Sequence, residues 1–95
     1  MRIISLTLDD RADQVLADLE SKTGLPPAVL FSLSLSLTQW TYQQRVHDRV
    51  IATLDESRRS YRVLDLRAIC RSLEMAAKAE RTKAEQVLQQ PAAAA

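Results

Sequence analysis

A mainly α-helical dimer, in which one N-terminal strand pairs with its twin across a two-fold axis, is the architecture this sequence predicts. Three observations predict it. Residues 2–8, "RIISLTL", alternate in period two and are rich in β-branched side chains, as a strand with two unlike faces is. Helical apolar patterns follow, with no clear second strand to pair with the first. A chain of 95 residues also buries only a modest core by itself. A solitary strand leaves N–H and C=O groups unpaired, and its simplest complement is the same strand of a second copy, antiparallel by symmetry.

The strand places Ile4, Leu6 and Leu8 on one face and Ile3, Ser5 and Thr7 on the other. Asp9 or Asp10 then supplies an N-cap, and Ala12, Val15, Leu16 and Leu19 fall at i, i+3, i+4 and i+7 of a first helix. Lys22 and Gly24 suit its end, a cation in the last turn and a glycine free to turn left-handed. Pro26 and Pro27 suit the first turn of a second helix, where the missing N–H groups have no intrahelical acceptor.

The stretch "AVLFSLSLSLTQW", residues 28–40, alternates leucine with serine as a half-buried strand does. Neither residue is β-branched, and Leu30, Leu33, Leu37 and Trp40 also fall at helical spacing, widened by Phe31 and Leu35. It therefore reads as a helix buried on most sides, its serines returning hydroxyls to carbonyls one turn back. Ile4, Leu6, Leu8, Leu30, Leu33 and Leu37 are the expected dimer core. From Thr41 the helix is expected to continue through Val46, Val50, Ile51 and Leu54, until "ESRRS" interrupts it.

"SYRVL", residues 60–64, reads as a linker or, less well, as a short second strand. Leu64, Asp65 and Ile69 then form a hydrophobic staple and N-cap for a last amphipathic helix. Leu66, Ile69, Leu73, Ala77, Ala84 and Leu88 give that helix one apolar face, to about residue 89. The expected organisation is a dimerisation module over residues 1–45, a helical extension over 46–90 and a tail over 91–95.

Composition is that of an ordinary globular protein, 46% hydrophobic and 26% charged, with no apolar run of membrane-spanning length and no signal-like start. A cytoplasmic protein with no membrane partner is the expectation. Cys70 is the single cysteine, so it forms no internal disulfide or thiol pair for metal, and it reads as a small buried hydrophobe. His47, in an expected helix between Val46 and Asp48, is the single histidine, and Gly24 the single glycine. Catalytic triads, zinc sites and phosphate-cradling loops all need more than these. No catalytic residue, no metal, no cofactor and no enzymatic activity is expected.

Strand, helix, turn, helix, carried by "IISLTL", "RADQVLADLESKTG" and the helix after "GLPP", resembles the ribbon-helix-helix family of dimeric DNA-binding proteins. The stretch "KTGLPPAVLFSLSLSL" is similar, over some twenty residues and more locally, to the small subunit of the bacterial DNA phosphorothioation system. The first resemblance implies a two-stranded ribbon in the major groove of double-stranded DNA, read here by Ile3, Ser5 and Thr7 with Arg2. It also implies a phosphate anchored at the second helix's N-terminus, by the backbone N–H groups of Ala28 and Val29. Family members place serine or threonine where this chain has Pro26, and two prolines remove two donors from that anchor.

Charge divides unevenly. Residues 1–44 hold three basic side chains against five acidic ones, and residues 45–95 hold ten against seven. The basic cluster Arg58, Arg59, Arg62, Arg67 and Arg71 lies beyond the resembling segment. Arg58, Arg59 and Arg62 are the expected phosphate contacts, the alternative being a solvated face. The expected function is a homodimeric transcriptional repressor, with higher oligomers open. The alternative is an interaction protein, an antitoxin or a subunit of a DNA-processing complex, that clasps a partner protein through residues 60–90. A third reading is an all-helical assembly piece in which residues 2–8 are only a docking tail.

Overall fold

The computed structural model describes residues 1–89; the tail expected over 91–95 lies outside the described residues. The order is α1 (Asp10–Thr23), α2 (Pro27–Val46), β1 (Ala52–Asp55), β2 (Ser60–Val63), α3 (Leu66–Ile69) and α4 (Arg71–Gln89), so the protein is mainly helical with one small antiparallel sheet. The chain divides into two compact units, residues 1–36 and the chain from Leu37 onward.

In the first unit, Asp9 is the N-cap of α1, its carboxylate accepting from the Ala12 N–H at 2.8 Å, with Asp10 and Asp13 in the first turn. Gly24 ends the helix in the left-handed region at φ 69°, its N–H donating to the Glu20 carbonyl. Helix α2 begins at Pro27, and the Leu/Ser stretch is helical throughout. Ser34 and Ser36 each donate to a carbonyl four residues back, at 2.8 and 3.1 Å, which satisfies their hydroxyls inside an apolar helix.

Residues 1–9 carry no helix or strand. The strand expected over residues 2–8 is not formed by the single chain, because the strands that do form pair only with each other and offer it no ladder. Of the expected dimer core, Leu30 is buried and Leu8 half-buried, while Ile4, Leu6, Leu33 and Leu37 are exposed on the single chain.

The second unit departs further from expectation. Helix α2 stops at Val46 instead of running through Leu54. Asp48 turns left-handed at φ 58°, a conformation aspartate tolerates better than most residues, and the Arg49 N–H closes onto the Gln44 carbonyl at 2.9 Å. His47 therefore sits exposed in a turn, not in a helix.

A β-hairpin occupies part of the extension expected to be helical, and "SYRV" is its second strand, not a linker. Its register pairs Ala52 with Val63, Thr53 with Arg62, Leu54 with Tyr61 and Asp55 with Ser60. Period two thus gives it an apolar face (Ala52, Leu54, Tyr61, Val63) and a polar one (Thr53, Asp55, Ser60, Arg62).

Asp65 caps α3 as expected, accepting from the Arg67 N–H at 3.0 Å, but the last helix is broken at Cys70. The Cys70 N–H closes α3 onto the Leu66 carbonyl, and its own carbonyl accepts from the Glu74 N–H to open α4. This corner leaves Cys70 exposed, where burial was expected. Leu66, Glu74 and Ala77, on either side of it, are buried.

Candidate nucleic-acid interface

The residues expected to read bases fall in one segment at the N-terminus. Arg2, Ile3, Ser5 and Thr7 are all exposed on the segment without helix or strand that precedes α1. Leu8, at the end of that segment, lines with Ala12, Leu16, Leu30 and Phe31 an open apolar hollow of about 390 Å³. In this unit Leu30 alone among the described residues is buried, so its helices leave an unfilled apolar face beside a backbone segment with no ladder.

The expected phosphate anchor at α2 is poorer than the resemblance implies. Val29 and Leu30 both donate to the Pro26 carbonyl at 3.1 Å, so the Val29 N–H is already engaged. Pro27 has none to give, which leaves Ala28 as the donor of that turn without a protein acceptor among the described residues.

Arg58 and Arg62 share one hollow of about 340 Å³ on the hairpin with Thr53, Asp55, Ser60 and Tyr61. Arg62 projects from β2 opposite Thr53, and Arg58 lies in the turn, where its guanidinium stands 3.7 Å from Asp55. Arg59 occupies the left-handed region at φ 50° and does not line that hollow. Asp55 organises the turn. Its carboxylate accepts from the Ser57 hydroxyl at 2.7 Å, the Ser57 N–H at 3.1 Å and the Arg58 N–H at 3.3 Å. The Ser57 hydroxyl, then the Arg58 N–H, hold its pKa below the ordinary aspartate value. Two of the three hairpin arginines are thus gathered, one beside a carboxylate.

The second unit also contains an ion pair that no sequence pattern indicated. The Arg45 Nε donates to both Glu74 carboxylate oxygens, at 3.2 and 2.9 Å, and its Nη2 lies 2.6 Å from Oε1. The side chains are 16% and 10% exposed, so this is a largely buried bidentate pair. Arg45 also donates to the Arg49 carbonyl at 2.8 Å, and Arg81 donates to the Arg45 carbonyl. The hydrogen bonds from Arg45 hold the Glu74 pKa below the ordinary glutamate range, against the opposing effect of burial.

Among the described residues no cluster of His, Cys, Asp and Glu could hold a metal ion, and no helix is long and apolar enough to cross a membrane. Comparison with protein-family models, with curated proteins and with solved structures finds no match to this chain.

Proposed function

We propose that the protein is a homodimeric, non-enzymatic DNA-binding repressor of the cytoplasm. Residues 2–8 of two copies zip into a ribbon that enters the major groove. The supporting observation is the exposed, unladdered segment at residues 2–8, with polar Ser5 and Thr7 on one face, beside the apolar hollow of α1 and α2. A second chain supplies both the missing ladder and the missing apolar cover. Ser5 and Thr7 then face base edges, Ile3 a thymine methyl, and Arg2 with the hairpin arginines the phosphates.

The test is a mobility-shift series on the DNA upstream of the protein's own gene, against scrambled duplex, at several salt concentrations. The upstream DNA is expected to bind more tightly, with affinity falling steeply as salt rises. Alanine at both Ser5 and Thr7 is expected to reduce that preference while leaving the dimer intact. Unchanged preference in this variant removes the ribbon as reader.

A second reading, a protein-interaction subunit, draws on two observations. The first 44 residues carry net negative charge, three basic against five acidic, and Met75, Val87 and Leu88 of α4 are exposed. It predicts no salt-sensitive DNA affinity and a thermal transition of the C-terminal unit that rises when a partner protein is added.

A further inference from the structure

A hollow of about 750 Å³ in the second unit lies along α4 and is not lined by the hairpin. Six cations line it: Arg45, Arg67, Arg71, Lys78, Arg81 and Lys83. Two carboxylates, Asp48 and Glu74, line it with them, and both are engaged, Glu74 by Arg45 and Asp48 by Arg81 at 3.3 Å. Arg67, Arg71, Lys78 and Lys83 have no carboxylate within ion-pair distance among the described residues. The hollow therefore presents four cations without an ion-pair partner among the described residues on one concave surface, with Glu74 acting on Arg67 at longer range, in a chain whose formal net charge is only +1. The other acidic residues of α4, Glu80 and Glu85, are outside its lining.

Spacing limits what such a surface can hold. At about 1.5 Å of rise per helical residue, Arg71 and Lys78 are separated by roughly 10 Å along α4, and Lys78 and Lys83 by roughly 7 Å. A small anion spans one of these intervals at most. A nucleic-acid strand carries a phosphate for about every 3.4 Å of helix axis, so successive cations meet phosphates two or three apart. Arg67 and Arg71 add planar guanidinium forks, which match phosphate oxygens two at a time. Thr82 and Gln86 stand beside the cations, and Met75 and Ala79 make the apolar part of the lining; contacts from such cations to a phosphate backbone are independent of sequence.

We propose that the α4 hollow is a phosphate-backbone site for duplex DNA, in which Arg67, Arg71, Lys78 and Lys83 supply the electrostatic affinity. It goes beyond the ribbon reading and is separable from it, because backbone affinity needs no base contact. Each phosphate neutralised contributes a slope of about 0.9 in log affinity against log salt concentration.

The test measures binding of the full chain to a fluorescent duplex of random sequence, by anisotropy at several salt concentrations. Alanine at both Arg71 and Lys78 is expected to lower that slope by roughly 2. K83A, at an exposed position, is expected to lower it by roughly 1, while R71K with K78R retains it. Thermal unfolding confirms that each variant folds. A folded R71A/K78A variant with wild-type slope and affinity overturns the proposal, as does a wild-type chain with no affinity for random duplex at low salt. The ribbon reading fails separately, through loss of preference for upstream over random DNA, which these substitutions do not touch.

Discussion

Arg45 and Glu74 stand 29 residues apart in sequence, yet they form a bidentate, largely buried ion pair. Removing one partner leaves the other charged and largely buried, so E74A is expected to cost about 3 kcal/mol in urea unfolding. The pair also sets a pH dependence. The folded-state pKa of Glu74 is depressed, so the unfolded chain binds more protons, and the pair's contribution is complete above the ordinary glutamate range. It is lost as pH falls through the depressed value. Wild type should therefore lose stability on acidification more steeply than E74Q, whose side chain does not titrate; equal slopes would remove Glu74 as the cause. At Arg59 the backbone itself is the issue, since φ 50° is costly for a side chain with a Cβ. R59G is expected to raise stability by about 1 kcal/mol, and weaker duplex binding in the same variant would count Arg59 among the phosphate contacts.

Among the elements, α1 and the start of α2 were legible because local signals agree there: Asp9 as cap, Gly24 as stop, Pro27 as start. The hairpin was not. Val50, Ile51 and Leu54 continue the helical spacing of Val46, and the turn that reverses the chain contains no glycine or Asn-Gly pair. It relies instead on Asp55 gathering two N–H groups and a hydroxyl, and on an arginine in the left-handed region. The corner at Cys70 likewise has neither proline nor glycine to announce it. Helix α2 carries the decisive test of the candidate interface. Leu33 is 54% exposed on the single chain, so aspartate there is mild for a monomer. In a dimer the same side chain would be a buried, unpaired charge. L33D is expected to abolish dimerisation and cooperative folding together, read by sedimentation and circular dichroism; a folded variant that sediments as wild type would place α2 outside the dimer core.

For the molecule as a whole, the imbalance is between apolar surface and burial. Leu30, Leu66 and Ala77 are the buried hydrophobic residues among those described, while Ile3, Ile4, Leu6, Leu33, Leu35, Leu37 and Trp40 remain exposed. Hydrophobic burial is the main favourable term in folding, and a chain with so little of it gains stability from any partner that covers the remainder. If the partner is a second copy, stability becomes a property of concentration. The thermal midpoint should then rise with protein concentration, because mass action favours the folded dimer over two unfolded chains. Amide exchange locates the contact responsible. In the dimer, alternate amides of residues 3–8 donate across the two-fold axis and should exchange slowly, whereas in a monomer they face water and exchange at once. Diluting the protein through the association range should release that protection in step with the fall in midpoint. Were the midpoint constant over a thousandfold dilution with residues 3–8 always unprotected, the ribbon would not exist. Were the midpoint concentration-dependent with those amides still unprotected, the dimer would form through α2 alone and present no probe to the major groove.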